Sequence, residues 1–427
     1  MRTIFITVGS HGDVNPFMAV AGALHRRGHD VELVANPTFA DKVASAGLRF
    51  CPMGERATMS ELFGRHPEMM SAWKGHDTIL EKLVLPTMEP IAKLLRERFA
   101  SERRPDLVVA HGGCFAAKWI CDEVRAPFAV LTLSPLNWFT DADSMSDPRF
   151  GTLSPDRRLD RAARGTVRWL VRAKTDRQLN PWRARLNLQP TERIVADMFR
   201  GGTLNLGLWS PMFRPPRAGD PDTGIICGFA REDRHDHATN PDALEQFLAS
   251  GPPPVLFTLG TALSHSIRGV SEQAIAACHR LGHRVLVIDA AGPPDERVVR
   301  SELGDARPDA CHVARAPFSQ VFPRCSAVIH HGGIGTMAEA LSAGKPQLVM
   351  YAAYDQLDNA ERARRLGVAE SLSVHRVSPE KIQTRLQMIL NERVRRHASL
   401  VADLLRREKD GAEVAADALE SIAAHRS

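Results

Sequence analysis

The chain has 427 residues, more than the roughly 250–300 that one hydrophobic core usually holds, so two domains are expected. Hydrophobic residues make up 44% and charged residues 25% of the chain, and these ordinary proportions exclude a disordered or collagen-like protein. The net charge is only +5 and the arginines are scattered, which argues against nucleic acid as a partner.

The N-terminal half alternates between predicted strands and helices. Residues 3–8 form an uninterrupted apolar and β-branched run, typical of a strand buried on both faces of a parallel sheet, and residues 9–16 form the turn after it. A helix then starts at Phe17 and stops before Gly28. Further strands are predicted at 31–35, 107–110 and 128–133, and further helices at 78–99 and 115–124. This alternation predicts an α/β fold with a doubly wound sheet.

The same alternation restarts after a segment rich in Pro, Gly, Asp and His. We therefore expect an N-terminal domain at 1–215, an interdomain linker at 216–253 and a C-terminal domain at 254–427. The second half has predicted strands at 255–259, 284–288, 327–329 and 347–350. It also has one predicted helix that ends at residue 275 and two further predicted helices at 336–343 and 393–424. The last helix is a candidate for packing back on the N-terminal domain. Two Rossmann-like domains facing each other should bind ligands in the cleft, where the carboxyl ends of the strands meet.

A glycine-rich turn in the second half predicts an anion site. A buried strand ends at His330-His331, and the turn that follows leads into a helix opening at Gly335-Thr336. The free backbone N–H groups at a helix start, together with the helix dipole, suit a phosphate. A tight connection without any ligand is the alternative. The chain has no GxGxxG and no P-loop pattern, which argues against the usual dinucleotide and P-loop sites.

Two further polar features accompany this turn. Glu339 lies three residues after Thr336, on the same helix face, where a carboxylate can accept hydrogen bonds from a ribose diol. The cluster Tyr354-Asp355-Gln356-Leu357-Asp358-Asn359 follows the strand 347–350 and suits sugar hydroxyls. The alternative is that this cluster only caps the next helix, a role that Asp358 fits well.

These residues resemble a known family. The run from His331 through Glu339 to Asp355-Gln356 resembles the nucleotide-sugar signature of GT-B glycosyltransferases of the UDP-glycosyltransferase superfamily. The segment 9–16, Gly-Ser-His-Gly-Asp-Val-Asn-Pro, resembles their N-terminal motif, especially in bacterial and sterol-modifying members. Segment 354–361 and the Gly-Gly-Ile-Gly turn look most like the rhamnosyltransferase of rhamnolipid synthesis, followed by macrolide and glycopeptide glycosyltransferases. The resemblance covers nearly the whole chain and implies the GT-B fold.

The resemblance implies a nucleotide-sugar donor site. It assigns the diphosphate to His331, the ribose to Glu339, and the transferred sugar to Asp355 and Gln356. The backbone and hydroxyl groups of the turn would hold the diphosphate, through Gly332, Gly333, Gly335 and Thr336. A second phosphate-contacting turn falls at Gly260-Thr261, although Gly-Thr after a strand is also common without that role.

The base-binding region departs from the family pattern. Arg315 stands where plant members carry a tryptophan that stacks on the base. A guanidinium also stacks on rings, and the backbone near Val313 and Arg315 can pair with uracil or thymine. The donor can therefore be a UDP-sugar or a dTDP-sugar, with glucose or rhamnose as the hexose.

The N-terminal motif supplies the catalytic group. Asp13 follows the first strand, and bacterial relatives use this aspartate, so we predict that it is the general base that deprotonates the acceptor hydroxyl. The alternative is a helix cap, for which Asn15 competes. His11 can assist Asp13 or merely line the turn, and His111, at another strand end, can orient the base or be a structural histidine.

Trp138 and Phe139 also follow a strand end. They are candidate walls of an acceptor pocket, with packing against helices as the alternative. The acceptor itself is not encoded by any motif, although the resemblance favours a small lipophilic or aromatic hydroxyl compound.

The resemblance implies a single displacement with inversion and no required cofactor. Metal independence is expected because the helix start and His331 can meet the charge of the leaving diphosphate, and because the adjacent His330-His331 pair and the 235–237 segment are poor ligand sets. Two alternatives are a sugar-nucleotide epimerase with the same two-domain architecture and a catalytically silent nucleotide-sugar-binding protein. Either a monomer or a homodimer is compatible with the sequence.

The cysteine pattern and the hydropathy indicate the compartment. The seven cysteines form no CxxC pair and are odd in number, which argues against a disulfide framework or a structural zinc site. The apolar start is too short for a signal sequence, and no stretch reaches the length of a membrane span. A cytoplasmic protein without an integral membrane segment is expected.

Overall fold

Two parallel sheets, each covered by helices, build the two halves of the molecule. The computed structural model describes residues 1–260, 269–290 and 309–424. It confirms the predicted α/β class with two Rossmann-like domains. In the described part of the chain no helix combines the length and the apolar character that crossing a bilayer requires.

The N-terminal sheet has the strand order β3-β2-β1-β4-β5-β8-β9, and all its pairs are parallel. Its strands are β1 (Arg2–Ile6), β2 (Asp30–Ala35), β3 (Arg49–Pro52), β4 (Leu107–His111), β5 (Phe128–Thr132), β8 (Leu204–Gly207) and β9 (Gly224–Ile226). A separate antiparallel hairpin is made by β6 (Met145–Asp147) and β7 (Gly151–Leu153).

The C-terminal sheet repeats this pattern in the order β12-β11-β10-β13-β14-β15, again with parallel pairs. Its strands are β10 (Val255–Thr258), β11 (Val285–Ile288), β12 (Ala310–Val313), β13 (Ala327–His330), β14 (Gln347–Tyr351) and β15 (Ala369–Ser373). In both sheets the order reverses beside the first strand, between β1 and β4 and between β10 and β13. Ligands of open α/β sheets bind at such switch points, outside the carboxyl ends of the strands.

The helices flank both sheets. The helices of the N-terminal half are α1 (His11–Arg26), α2 (Ala40–Ser45), α3 (Met59–Arg65), α4 (Gly75–Ile79), α5 (Met88–Ala100), α6 (Phe115–Glu123), α7 (Arg158–Arg185) and α8 (Ile194–Arg200). The helices of the C-terminal half are α9 (Pro241–Ala249), α10 (Val270–Arg280), α11 (Phe318–Val321), α12 (Ile334–Ser342), α13 (Gln356–Arg365), α14 (Pro379–Ile389), α15 (Glu392–Arg407) and α16 (Gly411–Ala424). Single 3₁₀ or π turns occur at Pro37–Phe39, Pro67–Met70, Leu80–Val84, Leu85–Thr87, Pro135–Trp138, Phe322–Arg324 and Val374–Arg376.

Three predicted helices differ from the structure. The first begins at His11 and carries Pro16 inside it, because Ser10 caps it earlier than the proline suggested. The helix predicted at 78–99 is interrupted by a π turn and a 3₁₀ turn at 80–87, where Pro86 lacks the N–H that would continue the helix. The last predicted helix is two helices, because the first ends at Arg407 and the Asp410 carboxylate caps the second by accepting from the amides of Ala412 and Glu413.

The domains are tied together by chain segments that cross between them. Arg27, the C-cap of α1, pairs with Glu413 and Glu420, and the alanines of α16 pack into the core around α1. The last helix therefore returns to the N-terminal domain. In the opposite direction Met69 and Met70 pack into the core of the C-terminal sheet. Strand β9 extends the N-terminal sheet into the segment predicted as linker, and α9 packs on the C-terminal sheet. The crossing itself is therefore confined to residues 227–240.

Candidate active site

The carboxyl end of β1 delivers Asp13 through a tight turn. Gly9 has φ +126°, and a Cβ there would lie 2.2 Å from the Oδ2 atom of Asp13, so only glycine lets the carboxylate fold back. Asp13 Oδ2 accepts hydrogen bonds from the Ser10 amide at 2.7 Å and from the Ser10 hydroxyl at 3.0 Å. With the Ser10 hydroxyl accepting from the start of α1, this is a capping box. Ser10 is thus the N-cap and Asp13 the third helical residue of the capping box, whereas Asn15 accepts from Lys42 at 2.9 Å.

His111, at the end of the neighbouring strand β4, faces the other oxygen of Asp13. Its Nε2 lies 3.7 Å from Asp13 Oδ1, and its Nδ1 accepts a hydrogen bond from the Gly113 amide at 3.2 Å. Burial lowers the pKa of His111, and the nearby Asp13 only partly offsets this effect, so the ring is neutral. The amide at Nδ1 leaves the ring proton on Nε2, directed toward Asp13. The structure therefore brings the predicted base and its predicted orienting partner together.

His11 occupies the first turn of α1 at the junction of the domains. Its ring packs edge-to-face on Phe39 with centroids 4.9 Å apart. Burial, followed by the charge of Lys42, lowers its pKa to about 4. Lys42 donates to Asp236 of the crossing segment at 2.6 Å. His11 is thus a neutral side chain beside an interdomain ion pair.

The C-terminal glycine turn is built around His330. This side chain is fully buried; its Nε2 lies 2.9 Å from Gln347 Oε1 and its Nδ1 accepts from the Gly332 amide at 3.1 Å. Gly332 has φ +91°, and its carbonyl accepts from Asn359 at 2.9 Å. The amide of Gly332 is therefore bonded within the turn, and its contact with the diphosphate stays a prediction.

The helix start after this turn is open. Gly333 is the N-cap of α12, which begins at Ile334, and no side chain caps it. The first amide bonded within the helix is that of Met337, which donates to Gly333 at 2.9 Å. The amides of Ile334, Gly335 and Thr336 therefore point out of the helix end, where the dipole is positive. This arrangement suits an anion, as predicted for Gly335 and Thr336.

His331 lies between the two glycine turns of the C-terminal sheet. A Cβ on Gly260 would lie 2.6 Å from its Cε1, and a Cβ on Gly333 would lie 2.4 Å from its Nε2. Its Nδ1 is buried and has no hydrogen-bond partner within the described residues. Burial lowers the pKa of His331 to about 4, so the free site holds a neutral ring. The fixed positive potential must come from the helix start, and His331 offers an N–H donor. Thr261, predicted beside Gly260, lies outside the described residues.

Glu339, predicted to bind the ribose, is buried one turn further along α12. Arg231, carried by the crossing segment, donates to its Oε2 at 3.2 Å. Burial raises the pKa of Glu339 to about 7 and outweighs the attraction of Arg231. Arg231 was not predicted, since an isolated arginine in a linker belongs to no motif.

The predicted sugar-binding pair, Asp355 and Gln356, lies at the start of α13. Gln356 turns its side-chain oxygen back to accept from the amides of Ala352 at 2.7 Å and Ala353 at 3.1 Å. Asp355 accepts from Asn359 at 2.9 Å, and burial raises its pKa although Asn359 and the nearby Ser134 of the N-terminal domain lower it. Asp355 therefore faces the cleft between the domains, whereas the oxygen of Gln356 supports its own loop.

Asp358 does not cap α13. Its carboxylate accepts from the Arg362 side chain at 2.7 Å and from the Ser146 amide at 3.3 Å. Arg362 also lies 3.8 Å from Asp143, which pairs with the fully buried Arg214 at 2.8 Å. These charges join the donor-side helix to the loop after β5. The sequence signal was limited to the i, i+4 spacing of Asp358 and Arg362.

The base-binding residues are only partly available. The amide and carbonyl of Arg315 are both bonded to Thr239, at 3.4 Å and 3.1 Å, and the Val313 carbonyl accepts from Asp289 at 3.1 Å. Backbone pairing of a base with Arg315 would have to break the Thr239 contacts. The exposed guanidinium of Arg315 is the group left for stacking.

Of the two predicted acceptor-pocket aromatics, Trp138 belongs to the core. It is 1% exposed, its ring centroid lies 4.7 Å from that of Trp209, and Arg214 covers its face. This packing matches the alternative reading of Trp138. Phe139 is half-buried, has φ +51°, and lies 5.9 Å from Phe199.

Within residues 1–260, 269–290 and 309–424, no group of three or more His, Cys, Asp or Glu side chains is arranged to hold a metal ion.

Comparison with known proteins matches both halves of the chain. Residues 3–131 match the glycosyltransferase family 28 N-terminal domain, and residues 285–420 match the erythromycin biosynthesis protein CIII-like C-terminal domain. The O-mycaminosyltylonolide 6-deoxyallosyltransferase of Streptomyces fradiae is 31% identical over 381 residues, covering 86% of this chain and 85% of the relative.

Solved structures share the whole architecture. The glycotransferase of kitacinnamycin superposes with a TM-score of 0.70 at 19% identity, covering 99% of this chain and 98% of the other. The glycosyltransferase VinC, solved in complex with dTDP, superposes with a TM-score of 0.66 at 21% identity over the full length of both chains. At identities of 19% and 21%, these matches show that the fold is shared and nothing more.

Proposed function

The chain belongs to the GT-B glycosyltransferases of the UDP-glycosyltransferase superfamily, and from this premise we propose that it is an inverting enzyme with a nucleotide-sugar donor. It moves a hexose, glucose or rhamnose, from a UDP- or dTDP-sugar to a hydroxyl group of a small lipophilic or aromatic acceptor. One observation carries the proposal: an uncapped helix start beside His331 opens at one switch point, and the Asp13–His111 pair lies at the other. Ile334 packs against the N-terminal core, so both helix starts belong to one cleft.

The Asp13–His111 pair suits proton abstraction from the acceptor. Asp13 Oδ2 is held by Ser10, so Oδ1 is the oxygen that takes the proton of the acceptor hydroxyl. The proton on His111 Nε2 keeps that oxygen oriented and stabilises its charge. The acceptor oxygen then forms a bond to the anomeric carbon while the bond from that carbon to the diphosphate breaks on the opposite face.

The open start of α12 suits the leaving diphosphate. The amides of Ile334, Gly335 and Thr336 and an N–H of His331 meet the negative charge that develops on it. Charge stabilisation from these groups supports a reaction without a metal. Activity in EDTA tests this part, and a loss of activity that Mg²⁺ restores contradicts it.

The donor is the second half of the proposal. Glu339 is placed to accept from a ribose diol, and Asp355 faces the cleft to meet the hexose. The dTDP bound to VinC and the deoxyhexose in the name of the Streptomyces fradiae relative favour a dTDP-deoxysugar such as dTDP-rhamnose over UDP-glucose.

A cytoplasmic location is part of the same proposal. All seven cysteines are free thiols, which supports a reducing compartment.

A panel of nucleotide sugars tests the proposal. Thermal-shift measurements rank the donors, because a ligand that binds only the folded state raises the melting temperature. The best donor is then incubated with hydroxylated acceptors and the product is analysed for inversion. His331→Ala should weaken nucleoside diphosphate binding about tenfold or more in calorimetry. Binding of a donor without transfer to any acceptor would favour a silent binding protein, and unchanged binding in His331→Ala would place the diphosphate elsewhere.

A further inference from the structure

The outward face of helix α7 is apolar. Leu159, Trp169 and Leu170 are 85%, 66% and 54% exposed. The spacing of three and four residues places them on one face together with Ala162, Ala163, Thr166 and Ala173. Isolated exposed hydrophobic residues are normal on a protein surface, but a face of a helix built from them marks an interaction site.

The inward face of the same helix is basic. Arg164 is 2% exposed and donates to the Asp141 carbonyl at 2.9 Å. Arg168 donates to the Thr140 carbonyl at 2.9 Å and pairs with the Asp141 carboxylate. Arg172 lies over the ring of Phe139. If the outer face of α7 were in contact with water, its apolar side, with Trp169 and Leu170, would be expected to face the protein core. In this structure the apolar side faces outward, which suits contact with an apolar environment.

Unpaired positive charge lies at both ends of the apolar face. Helix α7 carries nine Lys or Arg residues and two Asp residues. Arg157, Arg158, Arg161 and Arg177 are exposed, and no ion pair of theirs occurs within the part of the chain that the structure describes. Arg158 flanks the face, and Arg177 follows Ala173 at its far end.

We propose that this face docks on the surface of an anionic lipid bilayer. A helix with Trp and Leu on one side and Arg around it lies in the plane of a membrane interface, where the rings enter the headgroup boundary and the guanidinium groups meet lipid phosphates. A second copy of the chain fits less well, because a two-fold interface would place the same positive groups against each other. The inference concerns binding alone and does not depend on the transfer reaction.

Sedimentation with vesicles tests the proposal on the full chain. Vesicles of phosphatidylcholine with 30% phosphatidylglycerol, a fraction on the order of that in anionic membranes, are compared with pure phosphatidylcholine. The chain should bind the anionic vesicles at low salt and dissociate as the salt concentration rises. Trp169→Ser with Leu170→Ser should weaken binding about tenfold or more. Arg158→Glu with Arg177→Glu should do so by a similar factor, since each lost Arg contributes about fivefold.

A matched control exists in the C-terminal domain. Leu400 and Leu404 of α15 are 59% and 50% exposed, so Leu400→Ser with Leu404→Ser removes comparable apolar surface and should leave vesicle binding unchanged. Three outcomes would overturn the proposal. The first is no binding to anionic vesicles at low salt. The second is equal binding by the α7 variants and wild type. The third is a wild-type dimer that Trp169→Ser with Leu170→Ser dissociates, which would assign the face to a second copy.

Discussion

The two domains use the same unit, a strand followed by a glycine turn and a helix. They differ in which group lies at the positive, N-terminal end of that helix. In the N-terminal domain Ser10 caps α1 and the Asp13 carboxylate folds back on the cap. In the C-terminal domain Gly333 caps α12 without a side chain, and the amides of the first turn point into the cleft. The N-terminal unit thus contains its own anion, whereas the C-terminal unit is open to an external one.

The glycines of the two turns show the same division. A side chain on Gly9 would collide with the Asp13 carboxylate, and a side chain on Gly333 would collide with the His331 ring. Each glycine therefore leaves room for a functional side chain rather than for the backbone. In one case that side chain is the proposed general base, and in the other it is the proposed hydrogen-bond donor to phosphate. Under the proposed mechanism, one domain activates the acceptor while the other holds the donor.

Asp13→Asn should have the largest effect. The amide oxygen can still accept from the Ser10 amide, so the helix start is preserved, but the side chain no longer takes a proton. Turnover should fall about 10²–10⁴-fold, while the dissociation constant of the nucleoside diphosphate stays within about twofold of wild type because the donor half is untouched. Steady-state kinetics and calorimetry measure the two quantities. A variant that keeps most of its turnover would leave Asp13 with the cap alone.

Gly333→Ala should act on the other helix start. Its φ of −61° suits alanine, but the added Cβ would lie 2.4 Å from His331 Nε2 and displace the ring. Nucleoside diphosphate binding should weaken about tenfold to a hundredfold, the loss expected for a displaced donor to a charged group. Gly64→Ala is the control, because a Cβ at that helical position meets nothing within 4 Å. Equal affinities of the two variants would remove His331 from the diphosphate site.

Glu339→Gln should change how stability depends on pH. The folded chain raises the pKa of Glu339 from 4.5 to about 7, so the folded state binds this proton more tightly than the unfolded state. The stabilisation from the protonated carboxyl is complete below pH 4.5 and is lost as the pH rises through about 7. The free energy of unfolding of Glu339→Gln relative to wild type should therefore increase between pH 5 and pH 8, by on the order of 2 kcal/mol.

Chemical denaturation at both pH values provides this measurement. The exposed Glu392 offers the control, since Glu392→Gln should follow the pH dependence of wild type. A Glu339→Gln variant that also follows wild type would mean that Arg231 keeps the carboxyl of Glu339 ionised.

Much of the fold can be predicted from the sequence because buried parallel strands have uninterrupted runs of apolar residues. Strands β1, β4, β10 and β13 were predicted within one or two residues. Strand β12, with the sequence Ala-Cys-His-Val, has no such run and becomes a strand only by pairing with β11. The start of α1 was missed because Pro16 suggested a boundary, although Ser10 and Asp13 have the spacing of a capping box.

The site was predictable where one motif contains the whole interaction. His331, Gly333 and Glu339 share a single turn and helix, and their roles toward the donor stay predictions. Arg231, Lys42 and Ser134 reach the cleft from segments far apart in the chain, and only tertiary packing brings them there. The commitment of the Gly332 amide to His330 likewise depends on the depth to which His330 is buried.

Ser10→Ala should have the smallest effect and can be compared with a second capping box. Thr58 and Glu61 of α3 form the same arrangement far from the cleft, with the Glu61 carboxylate accepting from the Thr58 amide at 2.7 Å and its hydroxyl at 2.9 Å. Ser10→Ala and Thr58→Ala should each lower the free energy of unfolding by about 1 kcal/mol. Only Ser10→Ala should also reduce turnover, by a few-fold, because Asp13 Oδ2 then keeps the Ser10 amide as a partner and loses the hydroxyl. Denaturation and kinetics on both variants separate the cap from the positioning of the carboxylate. If Ser10→Ala reduced nucleoside diphosphate affinity as strongly as Gly333→Ala does, both helix starts would hold the donor. That result would contradict the proposed division of roles between the two domains.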